Sequence, residues 1–556
     1  HAEERLRARL RELPDGRWEA VQHIDHDGHT ELASRVRLTL TKQGETLTFD
    51  FAGTDPQARG CINTTWAGLM AGVFTPVLVL LCHDIPWNQG VFNCVQVQAD
   101  EGILCNCRYP APCSMATIAG TRLVANCGTL AISKMLSASP RYAREAMAVW
   151  AGSSQCPSLA GVSQHGYRFG FMEMSHHAGG GGARSFADGV DLGGVLQNAT
   201  PSIPNVEATE HSYPLLYLFR RQLVDSGGPG RWRGGVSGEI CYVPYDAPPG
   251  LSMVLVAYGV EVPNALGLWG GLPTCCVRWV RVRGTDIAER LRAGAHLPLT
   301  LEEIPGEVQV FPAMHPRLPF GEGEAWYSNW QGGGGYGDPM DRESERVRCD
   351  VENQLVSVAC ARSIYGVVIT PGSGAVDMAG TAALRQQIRQ ERLARAASQG
   401  HLPAGRRRPA AAALEVSSPD PSGRTPAGLD PRGTPGSGER VSFGPVLTAD
   451  RSSGLLLCRC GATLGAAGDG YKSAAAWEEL PLTAAGPIRG EQYRGDRFVL
   501  RCFYCPNCAT LLETEVTLRG SPPLEDRLFG WPAATAPAGT SVPGGATAET
   551  ATGGGP

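Results

Sequence analysis

The side chains best suited to chemistry are five cysteines near the C-terminal end, in the phrases Cys458-Arg459-Cys460-Gly461 and Cys502-Phe503-Tyr504-Cys505-Pro506-Asn507-Cys508. Four thiolates can surround one Zn²⁺ tetrahedrally, and closely spaced pairs let two turns present the sulfurs at little entropy cost. The first pair is CxC rather than the commoner CxxC, so the fourth ligand is open. The expected set is Cys458, Cys460, Cys505 and Cys508, with Cys502 as the substitute; the alternative is reduced cysteines packed in a small core. Four thiolates leave no vacant coordination position, so such a zinc would be structural and coupled to folding.

Catalytic candidates lie earlier in the chain. His176-His177 precede the run Gly179 to Gly182 and could present imidazoles to a ligand, or pack as satisfied interior residues. Asp225 precedes Gly227-Gly228-Pro229-Gly230; with Arg231 and Arg233 it could clamp an anion, or hold a turn through a salt bridge. The HxxHxxH spacing of His23, His26 and His29 is read as surface histidines, because Asp27-Gly28 marks a turn. Cys105, Cys107 and Cys113 imitate ligand spacing without a fourth partner and are read as buried thiols. No Walker loop, dinucleotide fingerprint or nucleophile elbow is present. Any ATP chemistry must come from elsewhere.

The elements that would position these groups can be read from periodicity. Leu6, Leu10 and Leu13 mark a charged amphipathic helix ended by Pro14-Asp15-Gly16. Trp18 to Asp25 is expected as a strand, and residues 36–40 and 47–51 alternate as a hairpin about Gln43-Gly44. Residues 115–150 read as helical, with Pro140 as a stop, and 239–245, 251–257, 274–282, 356–361 and 365–369 as strands. The run Trp66 to Cys82 contains Gly68, Gly72 and Pro76 and falls short of the roughly 20 residues a membrane span needs, so a buried core helix is expected. Three glycine clusters, around 179–182, 227–235 and 332–337, require turns or close backbone approach.

The balance of 49 basic against 54 acidic residues in 556, net charge -5, gives no cationic field for nucleic acid or a membrane surface. Gly and Pro number 71 and 41, which predicts a folded body with many tight turns and at least one loose segment. Eighteen cysteines spread over a long chain without an export signal fit reduced thiols in the cytoplasm. The expected class is α+β, in four parts: a body over 1–380; a helix and flexible linker over 381–440, with the solvated triplet Arg406-Arg407-Arg408; a zinc unit over 441–528; and a disordered tail over 529–556.

Several ordered phrases carry a resemblance. They are Phe49-Asp50-Phe51-Ala52-Gly53-Thr54-Asp55-Pro56-Gln57 with Asn63, Asn88-Gln89-Gly90, Gly181-Gly182-Ala183-Arg184 with Asp188-Gly189, Asn198 with Pro204 and Glu207, and Glu210 with Tyr213-Pro214. Asp225 to Gly230 with Arg233-Gly234-Gly235, and Gly332 to Pro339, complete the set. Together they resemble the hydantoinase B/oxoprolinase family over about residues 15–375. Residues 441–528, with Cys505-Pro506-Asn507-Cys508 before Thr510 to Val516, resemble the small zinc subunit of acetone carboxylases.

The resemblance implies a subunit of an ATP-dependent complex, with a hydantoinase A-like partner that binds ATP and phosphorylates a carbonyl or lactam oxygen. The fused zinc unit favours carboxylation of a ketone; hydrolysis of a cyclic amide such as a hydantoin or 5-oxoproline is the alternative, and a non-catalytic scaffold the second alternative. Family phrases that carry the His and Asp ligands of a catalytic divalent metal, Mn²⁺ among the candidates, are absent from this sequence. A separate chain is therefore expected to supply that region, and the isolated chain to be inactive.

Overall fold

The computed structural model describes residues 1–153, 155–199, 201–403, 440–487 and 497–531. The linker residues 404–439, including Arg406-Arg407-Arg408, and the tail residues 532–556 lie outside the described residues. The class is α+β, with the main sheets antiparallel apart from one parallel edge.

The opening helix, Ala2–Arg11, carries Glu3 and Glu4 in its first turn and Arg9 and Arg11 in its last, matching the helix dipole at both ends. Leu6 and Leu10 point it into the core. Strand Gly16–Ile24 follows and pairs antiparallel with Ser34–Gln43, which turns at Gly44 into Thr46–Asp50; Val95–Gln98 adds in parallel. The period-two reading of residues 36–51 describes this hairpin directly.

Against the sheet lies the helix Gly120–Ser137, in which every residue is buried. It is shorter than the expected 115–150, because turns replace helix before Gly120 and after Ser137. Helix Trp66–Pro76 packs on it, and glycines permit the approach: a β-carbon at Gly72 would stand 2.6 Å from the Thr121 carbonyl. The run Trp66 to Cys82 is thus a core helix, continued by a π-turn over Val77–Leu81. No helix among the described residues is long and apolar enough to cross a membrane.

A five-stranded sheet orders Glu307–Val310, Arg278–Arg283, Glu324–Asn329, Gly238–Pro244 and Leu215–Gln222; a four-stranded sheet orders Met314–Pro319, Ser252–Val256, Ser158–Val162 and Arg168–Met172. Between them the three glycine clusters lie side by side. Gly235 N donates to the Gly181 carbonyl, Gly333 N to Gly235 and Gly228 N to Gly333, so backbone polar groups are satisfied laterally outside any helix or named strand. The spacing admits no side chain: a β-carbon at Gly333 would lie 1.8 Å from the Gly181 oxygen.

Three local expectations fail. Residues 356–361 and 365–369 form no strand: Ser357 accepts from Cys360 N and caps the helix Val358–Ser363, and of the second run only Ile369 makes an isolated bridge, to Val376, since a short apolar run carries no period of its own. The strand expected from 274 starts at Arg278, leaving Cys275 and Cys276 in buried extended chain. His23 and His26 are not surface residues: both are buried, and His23, on the inner strand, meets Phe498 edge-on at 5.4 Å.

Residues 440–487 and 497–531 are knitted into the body. Asp526–Leu528 forms the fifth strand of the N-terminal sheet, with Trp18 opposite Asp526. Phe443 packs edge-on against Trp269, and Thr514 Oγ1 donates to the Gly271 carbonyl at 2.7 Å. Its own strands form a four-stranded sheet, Arg440–Gly444 to Thr463–Ala466, and a three-stranded one, Ala476–Leu480, Phe498–Tyr504 and Leu511–Leu518.

Candidate functional site

The two cysteine phrases meet. Strand Leu455–Cys458 delivers Cys458, and the turn after it Cys460; Phe498–Tyr504 delivers Cys505, and the following turn Cys508. Ala509 closes that turn at φ 57°, donating its N–H to the Cys505 carbonyl. The sulfurs of Cys458, Cys460, Cys505 and Cys508 all lie within 4.8 Å of one another. Cys458 and Cys508 are 3.8 Å apart and Cys460 and Cys505 3.6 Å. A tetrahedron with metal–sulfur bonds of about 2.3 Å has edges of about 3.8 Å, which these two separations match, so the four thiols could hold a metal ion. Binding a cation here would require these thiols to shed their protons.

Cys502 is outside this group. It sits on the strand and packs with Leu500, Tyr504 and Val516 in a separate apolar cluster, where burial pushes its thiol up to about 12. Arg459, between the first two sulfurs, is tied to the body: its guanidinium reaches Asp341 at 2.7 Å and Thr510 at 3.1 Å. Next to it Asp338 accepts two bonds from Arg392 and one from Leu511 N.

His176 and His177 share one 3₁₀ turn, Ser175–His177. His176 is fully enclosed. Its Nδ1 lies 2.8 Å from Glu173, its Nε2 2.9 Å from Ser328 Oγ, and Trp279 and Trp330 meet its ring edge-on. Burial alone would raise Glu173, but His176 and Ser175 bring its carboxyl below the usual range. His177 is half-buried, with Nε2 3.6 Å from Cys156 Sγ. Burial, then the charge of Arg122, holds its pKa below the ordinary histidine value, so it is neutral at pH 7.

Asp225 does not join this turn. It adopts φ 61°, accepts from Ser357 N at 2.8 Å, and forms no ion pair with Arg231 or Arg233. Arg233 instead meets Asp191 and Asp350, and Arg342 bridges Asp188 and Asp350, bracing the glycine segments. Cys107 and Cys113 approach to 3.3 Å with no third ligand in reach among the described residues. Glu173, Cys156 and Arg122 escaped the sequence reading; the only signal was Glu173 three residues before His176.

Residues 1–339 match the hydantoinase B/oxoprolinase family, and the chain belongs to that family. It is 26% identical over 404 residues to the acetophenone carboxylase delta subunit of Aromatoleum aromaticum, an alignment covering 69% of this chain and 57% of that one. It is 28% identical over 392 residues to the caprolactamase beta subunit of Pseudomonas jessenii, covering 69% and 62%. Among solved structures it resembles nucleotide-free acetone carboxylase, TM-score 0.64 at 24% identity over 71% of this chain and 55% of that one. The ATP-dependent caprolactamase structure matches with TM-score 0.57 at 26% identity, covering 69% and 62%. The chain thus spans between half and two thirds of these relatives' length.

Proposed function

We propose that this chain is one subunit of an ATP-dependent complex that carboxylates a ketone through a phosphorylated intermediate. The observation that carries the reading is a hydantoinase B body, similar to carboxylase subunits, on the same polypeptide as a four-thiolate knuckle. In this reading Cys458, Cys460, Cys505 and Cys508 hold Zn²⁺. The ion supplies folding energy and no open coordination position, so it takes no part in the reaction.

The four cysteines are the only such group found among the described residues. We further propose that ATP and a catalytic divalent metal, with Mn²⁺ as the candidate, are supplied within the complex by neighbouring chains, a hydantoinase A-like subunit among them. Within this chain we assign proton handling to His177, neutral and half-buried. His176, locked by Glu173 and Ser328, fixes the turn, and Asp225 holds the approach to Gly227 to Gly230. The dry glycine wall would protect a labile intermediate from water. Eighteen cysteines with no disulfide among the described residues suit the cytoplasm. Residues 1–380 would act as the body and 441–528 as the metal-dependent unit.

The likeness to caprolactamase favours ATP-dependent hydrolysis of a cyclic amide as the second reading. The test is phosphate release from ATP by the complex co-purified with its neighbouring chains. Release that requires a ketone and bicarbonate is expected, with none from the isolated chain. Release with lactams or hydantoins alone would establish the second reading, and no turnover by the complete complex would leave a scaffold.

A further inference from the structure

Outside the knuckle a second pair of sulfurs is in contact. Cys107 and Cys113 flank the loop Arg108 to Pro112, and their sulfurs stand 3.3 Å apart. The Cys113 thiol donates to the Ala111 carbonyl at 3.4 Å, so Cys107 supplies the hydrogen that lies between the two sulfurs. Both residues are half-buried, whereas Cys105, two positions earlier, is buried. No carboxylate, imidazole or further thiol completes a metal-binding group with them among the described residues. Two free thiols in contact, open to a reagent from solvent and short of the ligands a metal needs, are arranged for bonding sulfur to sulfur.

The backbone holds both ends of the loop against one segment. Cys107 N donates to the Thr64 carbonyl at 3.0 Å and Met115 N to the Cys61 carbonyl at 3.0 Å. Between them Asn63, fully buried, donates its side-chain amide to the Pro112 carbonyl at 3.0 Å and to the Ala58 and Gly60 carbonyls at 2.9 Å. Within the loop Ala111 N donates to the Arg108 carbonyl, which closes a turn. The folded chain has therefore already lost most of the freedom that closing a ring over residues 107–113 would cost. A disulfide holds its sulfurs about 2.05 Å apart, so these two need to close by about 1.3 Å. The loop itself is in the open, with Tyr109 99% exposed and Arg108 pairing only with Glu101 at the surface.

We infer that Cys107 and Cys113 are a redox modification site, joining under an oxidising thiol poise in a reversible disulfide that closes the loop 107–113. With glutathione disulfide as the oxidant, the Cys113 thiolate attacks one of its sulfurs, forming a mixed disulfide and releasing one glutathione. The Cys107 sulfur then attacks Cys113 Sγ, the mixed bond breaks, and the second glutathione leaves. The two thiol protons end on the two glutathiones; the chain loses two electrons and the oxidant gains them. Cys107 acts second because burial pushes its thiol up to about 11. In a reducing compartment the pair rests as the free thiols seen here, and it responds when that poise fails. The inference rests on this loop alone and does not depend on which reaction the complex performs.

The test uses the full chain, incubated in glutathione buffers of graded reduced-to-oxidised ratio, then blocked with N-ethylmaleimide, unfolded and cut with trypsin without reduction. Cleavage after Arg59, Arg108 and Arg122 puts Cys107 on one peptide and Cys113 on the next, so mass spectrometry sees the disulfide as a cross-link between residues 60–108 and 109–122. That link should grow with the oxidised fraction and vanish after dithiothreitol. It should persist in Cys105→Ser and be lost in Cys107→Ser and in Cys113→Ser. A wild-type chain that stays unlinked at the most oxidising ratio overturns the inference without recourse to any variant. A link that survives in Cys107→Ser also overturns it, since Cys113 would then be pairing with another cysteine of residues 60–108. Neither outcome bears on the turnover test of the complex.

Discussion

At the residue scale the cysteine knuckle separates what spacing can reveal from what it cannot. Two close pairs announced a metal site, but CxC against CxxC could not choose between Cys460 and Cys502. The choice depends on strand alternation and on the turn at Ala509, which sends Cys505 and Cys508 toward Cys458 while Cys502 enters another core. Replacing Cys505 or Cys508 by Ser in the full chain should abolish bound zinc, whereas Cys502→Ser should keep it, as read by metal analysis after dialysis. Equal zinc in all three would reject the assigned set. Because thiols must shed protons to bind, zinc should leave the unmutated chain as the pH falls. The histidines were less legible. His23 looked exposed beside Asp27-Gly28, yet burial holds it at about 3, a neutral interior residue, because the strand that carries it is covered by Phe498 from the far end of the chain.

At the element scale, local periodicity gave the hairpin over residues 34–50 and the opening helix, but not the stacking of the glycine segments. Those contacts join residues such as Gly181, Gly235 and Gly333, and no local signal encodes such a partner. Gly333→Ala should cost more than about 3 kcal/mol, since a methyl 1.8 Å from a carbonyl oxygen has nowhere to go. Gly170→Ala, on an exposed strand with nothing within 4 Å, should change stability by less than about 1 kcal/mol. Denaturant melts of the two variants make the comparison, and similar losses would mean the stack is looser than described. Asp338 offers a pH test of the junction beneath the knuckle. Burial pushes its carboxyl up, but Arg392 outweighs it and holds it at about 2. The folded value lies below the unfolded one, so this stabilisation is complete above about pH 5 and fades as pH falls through about 4 toward 2; it is worth about 2 kcal/mol. In Asp338→Asn the acid-sensitive part should disappear, giving a flatter stability profile between pH 5 and 2.

At the scale of the whole molecule, sequence composition suggested a separable zinc unit, whereas the contacts tie its residues to the body through strand, core and charge. Lys134, in the central helix, meets Asp526 at 2.9 Å and Glu513 at 3.2 Å, all three buried, and Lys472 adds to the same group through Glu515. Lys134→Met would strand Glu513 and Asp526 without that cation, a loss of about 3–5 kcal/mol for a broken buried pair. The same connectivity decides how metal removal should register. Arg459 stands between the sulfurs of Cys458 and Cys460 and grips Asp341, so loosening the knuckle should also loosen the segment that follows the glycine stack. Chelation of the full chain should therefore lower Tm in a single transition seen alike by calorimetry and by tryptophan fluorescence, because Trp18 and Trp269 in the body adjoin Asp526 and Phe443 in the C-terminal segment. Two separated transitions, with only the lower one sensitive to chelator, would show that the C-terminal segment melts on its own and that these junctions contribute little.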